Sequence, residues 1–473
     1  MTIASINPAT GREIGRFEEW DEARVRVALD AAWDAAGDWD AGSSTTQAST
    51  TQASTTQAFA RRAACLRKAA GILRERGPEL ARLITLEMGK LIGEADAEVE
   101  KCAQVCDYYA EHGQAFLTDE PIDSDADSSF TVFEPLGVVL AIMPWNFPFW
   151  QVFRCAAPAL MAGNTLLLKH APNVPRCALA LERIWREAGC PPGVFQNVPV
   201  PVQGVEAIIR DRRVRAVSLT GSDIAGRKVA ALAGECLKKT VLELGGSDAL
   251  VVLDDADVAE AVGVAVKSRF LNTGQSCIAA KRFIVMAPVA DAFLEQVAAA
   301  IEQLRPGDPM DPATTLAPMA REDLRDALDA QVRKSMEKGA RLLMGGHPLE
   351  DRPGWYYAPT LLDGVGPGMP AYEEELFGPV AAVIRASDEA DALRMANDSR
   401  YGLGGSVWTR DRARGERFAR ALACGCAFVN GFVKSDPRLP FGGIKDSGYG
   451  KELSLPGIRE FVNLKTVWMK NAG

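Results

Sequence analysis

The chain has 473 residues, 47% of them hydrophobic and 24% charged, with a formal net charge of −9. That length exceeds one simple core and points to two large lobes, and the acidic balance argues against nucleic acid as the main partner. No N-terminal stretch joins a charged start to a long apolar run, so no secretion signal is expected; the most apolar stretch, 136–150, is broken by Pro144 and Pro148 and is too short to span a membrane.

In chain order, 22–37 carries Val25, Leu29, Ala32 and Trp33 at helical spacing, and 59–76 reads as a second helix. Between them Ser44-Thr45-Thr46-Gln47-Ala48 recurs unchanged at 49–53 and 54–58. A period of five suits neither helix nor strand, and Ser, Thr and Gln build no core. The segment reads as a slippage-expanded surface loop; a partner-binding or modified segment is the alternative. A polar insertion there costs little, because closure entropy grows slowly with loop length. The acidic, turn-rich 119–129 leads into Phe130-Thr131-Val132-Phe133, which alternates like a strand, so 120–136 reads as a protruding β segment. From 137 on, apolar strands at 138–143, 165–169, 216–219 and 249–252 alternate with amphipathic helices such as 178–188 and 226–233. That rhythm implies a mostly parallel sheet covered by helices. A second α/β lobe follows to about 440. The stretch 461–469 returns to a strand pattern whose free edge calls for a partner, here another subunit.

The ten cysteines are scattered, with no Cys-x-x-Cys pair. They fit a reducing compartment, hence the cytoplasm. Cys424-Gly425-Cys426 reads as a pair of buried small residues. His112, His170 and His347 lack neighbours at ligand spacing, so no metal site is expected.

Cys277 closes Asn272-Thr273-Gly274-Gln275-Ser276-Cys277, directly after the apolar-patterned 261–271. A small-residue loop after an ordered element holds a thiol where a substrate can reach it. Glu243 lies 34 residues upstream in Glu243-Leu244-Gly245-Gly246. A cysteine nucleophile and a carboxylate base, each on a glycine-rich loop, suggest acyl chemistry through a thioester. Pro144-Trp145-Asn146-Phe147-Pro148 follows an apolar strand. Its prolines fix the backbone around Asn146; either the amide is aimed at an oxyanion or the segment is a plain strand-to-helix turn. Lys169 ends the strand 165–169 at the edge where open α/β sheets bind ligands. It meets a ribose hydroxyl or phosphate, or it is simply solvated. Ser218-Leu219-Thr220-Gly221-Ser222 opens the helix at 226–233, a placing that suits a pyrophosphate. Gly221 to Val229 only approximates a P-loop, with Arg227 where the lysine belongs and no Ser or Thr for magnesium, so a nucleotide triphosphatase is set aside. No G-x-G-x-x-G follows a strand, so any dinucleotide binding is of a divergent kind.

Taken together, these motifs resemble the aldehyde dehydrogenase superfamily. Besides those already given, Glu375-Leu376-Phe377-Gly378-Pro379, Asn430-Gly431 and Pro440-Phe441-Gly442-Gly443-Ile444-Lys445-x-Ser447-Gly448 fall in the family's order. The resemblance covers the chain except 44–58. Within the superfamily the chain is similar to the shorter succinate-semialdehyde dehydrogenases, through Lys169-His170-Ala171-Pro172-Asn173 and Val433-Lys434-Ser435-Asp436-Pro437. The resemblance implies an α/β fold with a Rossmann-type dinucleotide-binding domain, 1–119 and 137–245, carrying the 44–58 insertion. It implies an α/β catalytic domain, 246–442, and a small β oligomerisation arm, 120–136 and 456–473, assembling a homodimer or homotetramer.

For the site, the resemblance implies that Cys277 attacks an aldehyde while the Asn146 amide and the Cys277 N–H hold the oxyanion. Hydride then passes to NAD or NADP, and Glu243 activates water against the thioester. Cofactor contacts fall to Trp145, Lys169, Gly221, Ser222, Gly245, Glu375 and Phe377. Lys169 meets the adenosine ribose, Ser222 the pyrophosphate and Glu375 the nicotinamide ribose, with Phe377 near the ring. Pro172 stands where NAD-preferring members often carry an acid, so both cofactors are expected. Arg154 matches the arginine that grips the distal carboxylate of succinate semialdehyde; a plain salt bridge is its alternative reading. Ser435 supplies a hydroxyl to the same carboxylate, Lys434 adds charge, and Trp150 lies near the pocket. Leu271 replaces a second arginine of such enzymes, and Ala279 replaces a second cysteine, so no local disulfide switch is expected.

The expected activity is NAD(P)-dependent oxidation of an aldehyde to an acid through a thiohemiacetal and thioester on Cys277, favouring succinate semialdehyde. A broad aliphatic or aromatic aldehyde dehydrogenase is the alternative, suited by Phe149 and Trp150. A cysteine hydrolase needs a partner base such as histidine, and the three histidines are isolated. A non-catalytic binding protein on this fold is opposed by intact Cys277, Glu243 and Asn146. No nucleic acid, membrane or metal partner is expected.

Overall fold

The computed structural model describes residues 2–40 and 52–471. A hairpin of Thr2–Asn7 and Arg12–Glu18, which no sequence signal announced, opens the chain. Asp21 then starts the helix Glu22–Trp39 by accepting the Arg24 N–H at 2.9 Å. The helix buries Leu29, Ala32 and Trp39 and leaves Trp33 exposed. Trp39 is fully buried, and its indole N–H donates to the Leu160 carbonyl at 3.0 Å. This pins the first helix to Trp150–Met161, the helix that follows Pro144–Pro148.

The second helix runs Gln52–Glu75, starting before the expected 59. The last copy of the five-residue repeat is therefore helical, and the loop reading fails there; 44–51 lie outside the described residues. Ala58, Phe59, Ala63 and Leu66 supply the buried face that Ser, Thr and Gln lack. A helix nucleated on such a face extends backward into neutral sequence at little cost.

One sheet places Lys239–Glu243, Val214–Thr220, Val138–Met143, Thr165–His170 and Phe195–Asn197 side by side and parallel. The short strand Gly448–Tyr449 joins its edge antiparallel to Lys239–Glu243. Val138–Met143 comes first in sequence, and the order runs outward from it in both directions, the doubly wound Rossmann arrangement. Helices on both faces explain why Val138, Val139, Leu140 and Ala141 are all buried rather than alternating. The seam between Val138–Met143 and Val214–Thr220 is the switch point, where strand ends part and leave a crevice.

A second sheet orders Arg341–Met344, Thr360–Asp363, Val380–Ala386, Ala280–Met286, Asp248–Val252, Gly404–Trp408 and Cys426–Val429. It is parallel except for the first edge strand. A third sheet sets Ser128–Pro135 between Glu120–Pro121 and Val462–Met469, antiparallel throughout. The outer edge of Val462–Met469 pairs with no described strand, and its Leu464, Trp468 and Met469 are exposed. Cys424 and Cys426, expected to be buried, are half-buried, because strand Cys426–Val429 is itself an edge. No described helix is long and apolar enough to cross a membrane, and among the described residues no His, Cys, Asp and Glu gather to hold a metal.

Trp39→Ala empties a fully packed position and removes the indole's bond to the Leu160 carbonyl. A loss of about 3–5 kcal/mol is expected, read as a lowered urea midpoint; an unchanged midpoint would show that this contact does not clamp the first helix.

Candidate active site

Helix Val258–Phe270 ends at Leu271, and a tight turn follows in which Asn272 and Thr273 have left-handed backbone, φ 52° and 56°. That conformation is unfavourable for a β-branched threonine, and its neighbours impose it. Both Glu94 oxygens accept the Asn272 N–H at 3.1 Å. The Asn272 side chain donates to the Asn146 carbonyl at 2.8 Å and to the Gln275 carbonyl at 3.1 Å. The Thr273 hydroxyl donates to the Ala317 carbonyl at 3.2 Å. The turn delivers Cys277, half-buried, to the wall of a cavity of about 370 Å³. Behind it the buried Lys281 ammonium donates to the Ser276 and Cys277 carbonyls, both at 2.6 Å, and pairs with Glu375 at 3.2 Å. Gly246 closes in from the other side: a Cβ there would lie 2.6 Å from the Cys277 carbonyl oxygen. Burial pushes the Cys277 thiol up to about 12, with Lys281 and Arg154 opposing.

Asn146 is buried beside this loop. Its Nδ2 donates to the Gln275 carbonyl at 3.0 Å, and its Oδ1 accepts from Gln151 at 3.1 Å, so both ends of the amide are held in one orientation. The Cys277 N–H has no acceptor among the described residues. Glu243 ends its strand fully buried, and neither carboxylate oxygen has a hydrogen-bond partner among the described residues. A Cβ at Gly442 would lie 2.7 Å from Glu243 Oε1, and Gly442 has φ +148°, so this position takes only glycine. Burial raises Glu243 to about 8, with Arg154 lowering it and Glu452 raising it further.

The residues expected to hold a dinucleotide surround the switch point. Ser222 caps helix Asp223–Glu235, its hydroxyl accepting the Ala225 N–H at 3.3 Å. Beside Gly221 an added Cβ would meet only Leu219, at 3.8 Å, so its surroundings are open. Lys169 is buried at the end of its strand yet makes no hydrogen bond or ion pair among the described residues; burial lowers its pKa, with Glu19 opposing. Trp145 and Phe377 meet edge to face at 5.8 Å. Glu375 accepts the Gly246 N–H at 3.0 Å, and Gly245 carries no side chain that would collide with its other oxygen. A capped helix start, a buried ammonium without a partner and an aromatic pair beside a carboxylate fit a pyrophosphate, a ribose and a planar ring.

On the far side of Cys277 the cavity is walled by Phe147, Trp150, Phe432 and Phe441, with Arg154, Lys101, Lys434 and Ser435 among its polar groups. Arg154 is buried and ion-paired with Glu452, and its guanidinium lies 4.8 Å from the centre of the Phe441 ring. Burial alone would lower Arg154, but Glu452, Glu243 and Cys277 together hold its pKa above the ordinary value. Ser435 Oγ accepts from Lys101 at 2.7 Å and from the Trp150 indole at 3.1 Å.

The structure thus brings Cys277, Arg154, Trp150 and Ser435 to one cavity, with Glu243 and Asn146 beside it and Lys169 and Ser222 along the crevice. Sequence reasoning missed Lys281, Glu452 and Lys101. The signal for Lys101 was present: Glu94, Glu98 and Lys101 fall at helical spacing on Ile92–Phe116. Such a charge stripe ordinarily reads as a solvated face, and here it lines the cavity.

The fold and this arrangement define an aldehyde-oxidising class. The chain belongs to the aldehyde dehydrogenase family, whose model matches residues 1–467. It is 48% identical over 469 residues to the probable succinate-semialdehyde dehydrogenase (NADP+) of Synechocystis sp., covering 99% of this chain and 100% of that one. It is 47% identical over 472 residues to succinate-semialdehyde dehydrogenase (NADP+) 1 of Mycobacterium bovis, covering 99% and 100%. The crystal structure of succinic semialdehyde dehydrogenase from Streptococcus pyogenes with NADP+ superposes with a TM-score of 0.94 at 37% identity, covering 99% of this chain and 100% of that one.

Lys281→Met removes the cation that most favours the Cys277 thiolate. Alkylation of Cys277 by iodoacetamide, followed by peptide mass spectrometry, is expected to slow about tenfold; an unchanged rate would mean that the ammonium does not tune the thiol.

Proposed function

We propose that the protein oxidises succinate semialdehyde to succinate with NAD or NADP as hydride acceptor. The observation that carries this reading is the cavity itself: a reachable thiol shares it with a cluster of cations and hydroxyl that suits a carboxylate. The names borne by the relatives agree with it. Cys277 gives up its proton to solvent, its thiolate Sγ attacks the aldehyde carbon, and the Asn146 amide and the Cys277 N–H receive the oxyanion. When bound, the nicotinamide supplies the hydride-accepting chemistry. Trp145, Lys169, Gly221, Ser222, Gly245, Glu375 and Phe377 hold and orient it, and the absence of an acid at Pro172 leaves room for a 2′-phosphate. Glu243 then takes a proton from water, which attacks the thioester carbon and releases Cys277 and the acid. Trp150 forms the cavity wall, Ser435 offers its hydroxyl hydrogen to the substrate's carboxylate, and Arg154 contributes positive potential.

The same proposal takes 1–119 and 137–245 as the dinucleotide-binding domain, 246–442 as the catalytic domain, and 120–136 with 456–473 as an arm. The open edge and exposed apolar residues of Val462–Met469 support pairing with a second copy, in a homodimer or homotetramer. Ten free thiols support a cytoplasmic setting. The aromatic walls favour a second reading, a broad aldehyde dehydrogenase. Equal kcat/KM for succinate semialdehyde and butyraldehyde would select it; a preference of about 100-fold for the former selects the first.

Cys277→Ala is expected to abolish oxidation of either aldehyde while NADP still binds, read by fluorescence titration; oxidation at the wild-type rate would remove Cys277 from the mechanism. Glu243 acts only when ionised, and with its pKa near 8 that form grows as pH rises. The butyraldehyde rate should therefore climb through pH 8 and level off above about pH 9. In Glu243→Gln the rate should fall about 100-fold or more and lose that climb; a rising limb that survives would assign the base role elsewhere.

A further inference from the structure

The cations lining the cavity differ in what they are already bound to. Lys90 is ion-paired with the buried Glu98, and its ammonium sits 3.7 Å from the centre of the Phe147 ring. Arg154 is ion-paired with the buried Glu452 and packs on Phe441. Lys434 is exposed to solvent. Lys101 is half-buried and forms no ion pair among the described residues. Its Nζ donates to Ser435 Oγ at 2.7 Å and rests 4.3 Å from the centre of the Trp150 ring. An ammonium has three donors, so two remain after Ser435. Ser435 Oγ, accepting from both Lys101 and the Trp150 indole, keeps its own hydrogen to give.

We infer that Lys101, together with the Ser435 hydroxyl, takes the distal carboxylate of a short semialdehyde acid, and that Arg154 stays with Glu452. This rests on the substrate reading above. Drawing Arg154 to the substrate would leave Glu452 buried without its counter-charge, a heavy penalty in a site this enclosed. Lys101 carries no such tie. It has the opposite need: burial, and then repulsion from Arg154, lower its pKa to about 8. The charges acting on it are Arg154 from helix Trp150–Met161, Asp436 from the loop carrying Ser435, and Glu98 and Cys102 from its own helix. None pairs with it, and an incoming carboxylate supplies the missing counter-ion. Arg154 then acts at a distance, through the Glu452 and Glu243 carboxylates.

The test is the ratio of kcat/KM for succinate semialdehyde to that for butyraldehyde, measured across pH 6.5 to 10. Wild type should show a large ratio that declines above about pH 8, as Lys101 loses its proton. Lys101→Met should cut the ratio about 100-fold, mainly through KM for the acid substrate, and flatten its pH dependence. Lys101→Arg should restore most of the ratio and keep it to pH 10. A ratio unchanged in Lys101→Met overturns the inference and leaves the substrate reading standing. A ratio near one in wild type overturns both. If Lys101→Met does not fold, loss of the high-pH decline in Lys101→Arg decides: a decline that persists assigns it to another group and overturns the inference.

Discussion

One buried ammonium holds the reactive loop in place. Lys281 has no solvent around it, and its hydrogens go to the Ser276 carbonyl, the Cys277 carbonyl and Glu375. Glu375 in turn accepts the Gly246 N–H, and Gly246 presses against the Cys277 carbonyl. Three chain segments far apart in sequence therefore converge on one charge. The convergence accounts for the left-handed Asn272 and Thr273: the loop is held at both ends, and the turn between them must take whatever backbone closes the gap.

The second organising feature is a shortage of positive charge beside the thiol. Glu243 and Glu452 are both buried, and of the two only Glu452 is ion-paired with Arg154. Two carboxyl groups sharing one cation do not ionise equally, and burial raises both. The group without an ion pair among the described residues, Glu243, therefore rests largely protonated at neutral pH and has high proton affinity once ionised. For the base role proposed for Glu243 this matters, because a carboxylate solvated like those on the surface would be ionised but too weak a base to activate water.

Much of this was legible beforehand because the signals were local. Strand 138–143 is a run of apolar residues before a proline and matched the structure to the residue. Cys277 and Glu243 stood out because small residues flank a reactive one. The sheet order was not legible, since parallel pairing joins strands through long crossovers that leave no trace in either partner. Nor were the partners of Arg154 and Ser435. Glu452 lies almost 300 residues from Arg154, and Lys101 lies 334 from Ser435. Only the closed fold brings such residues together, and a charged residue reads the same on paper whether it faces water or a cavity. The repeat misled for a different reason: its composition argued against a core, but the helix is carried by Ala58 at its very end and by Phe59, Ala63 and Leu66 just beyond it.

On the role proposed for Lys101, substrate binding in this enclosed cavity becomes a proton-consuming event above about pH 8. Lys101 and Glu243 both have pKa values near 8, and the proposed mechanism uses them in opposite states. Titrating independently, they are correctly protonated together in only about a quarter of empty molecules at pH 8. A carboxylate settling against Lys101 pulls protons onto the molecules that lack one. Above that pH the complex forms with net proton uptake, so its measured heat follows the ionisation enthalpy of the buffer. Arrival of the substrate is thereby registered in the solution as well as in the site, as a small withdrawal of acid before any oxidation has begun.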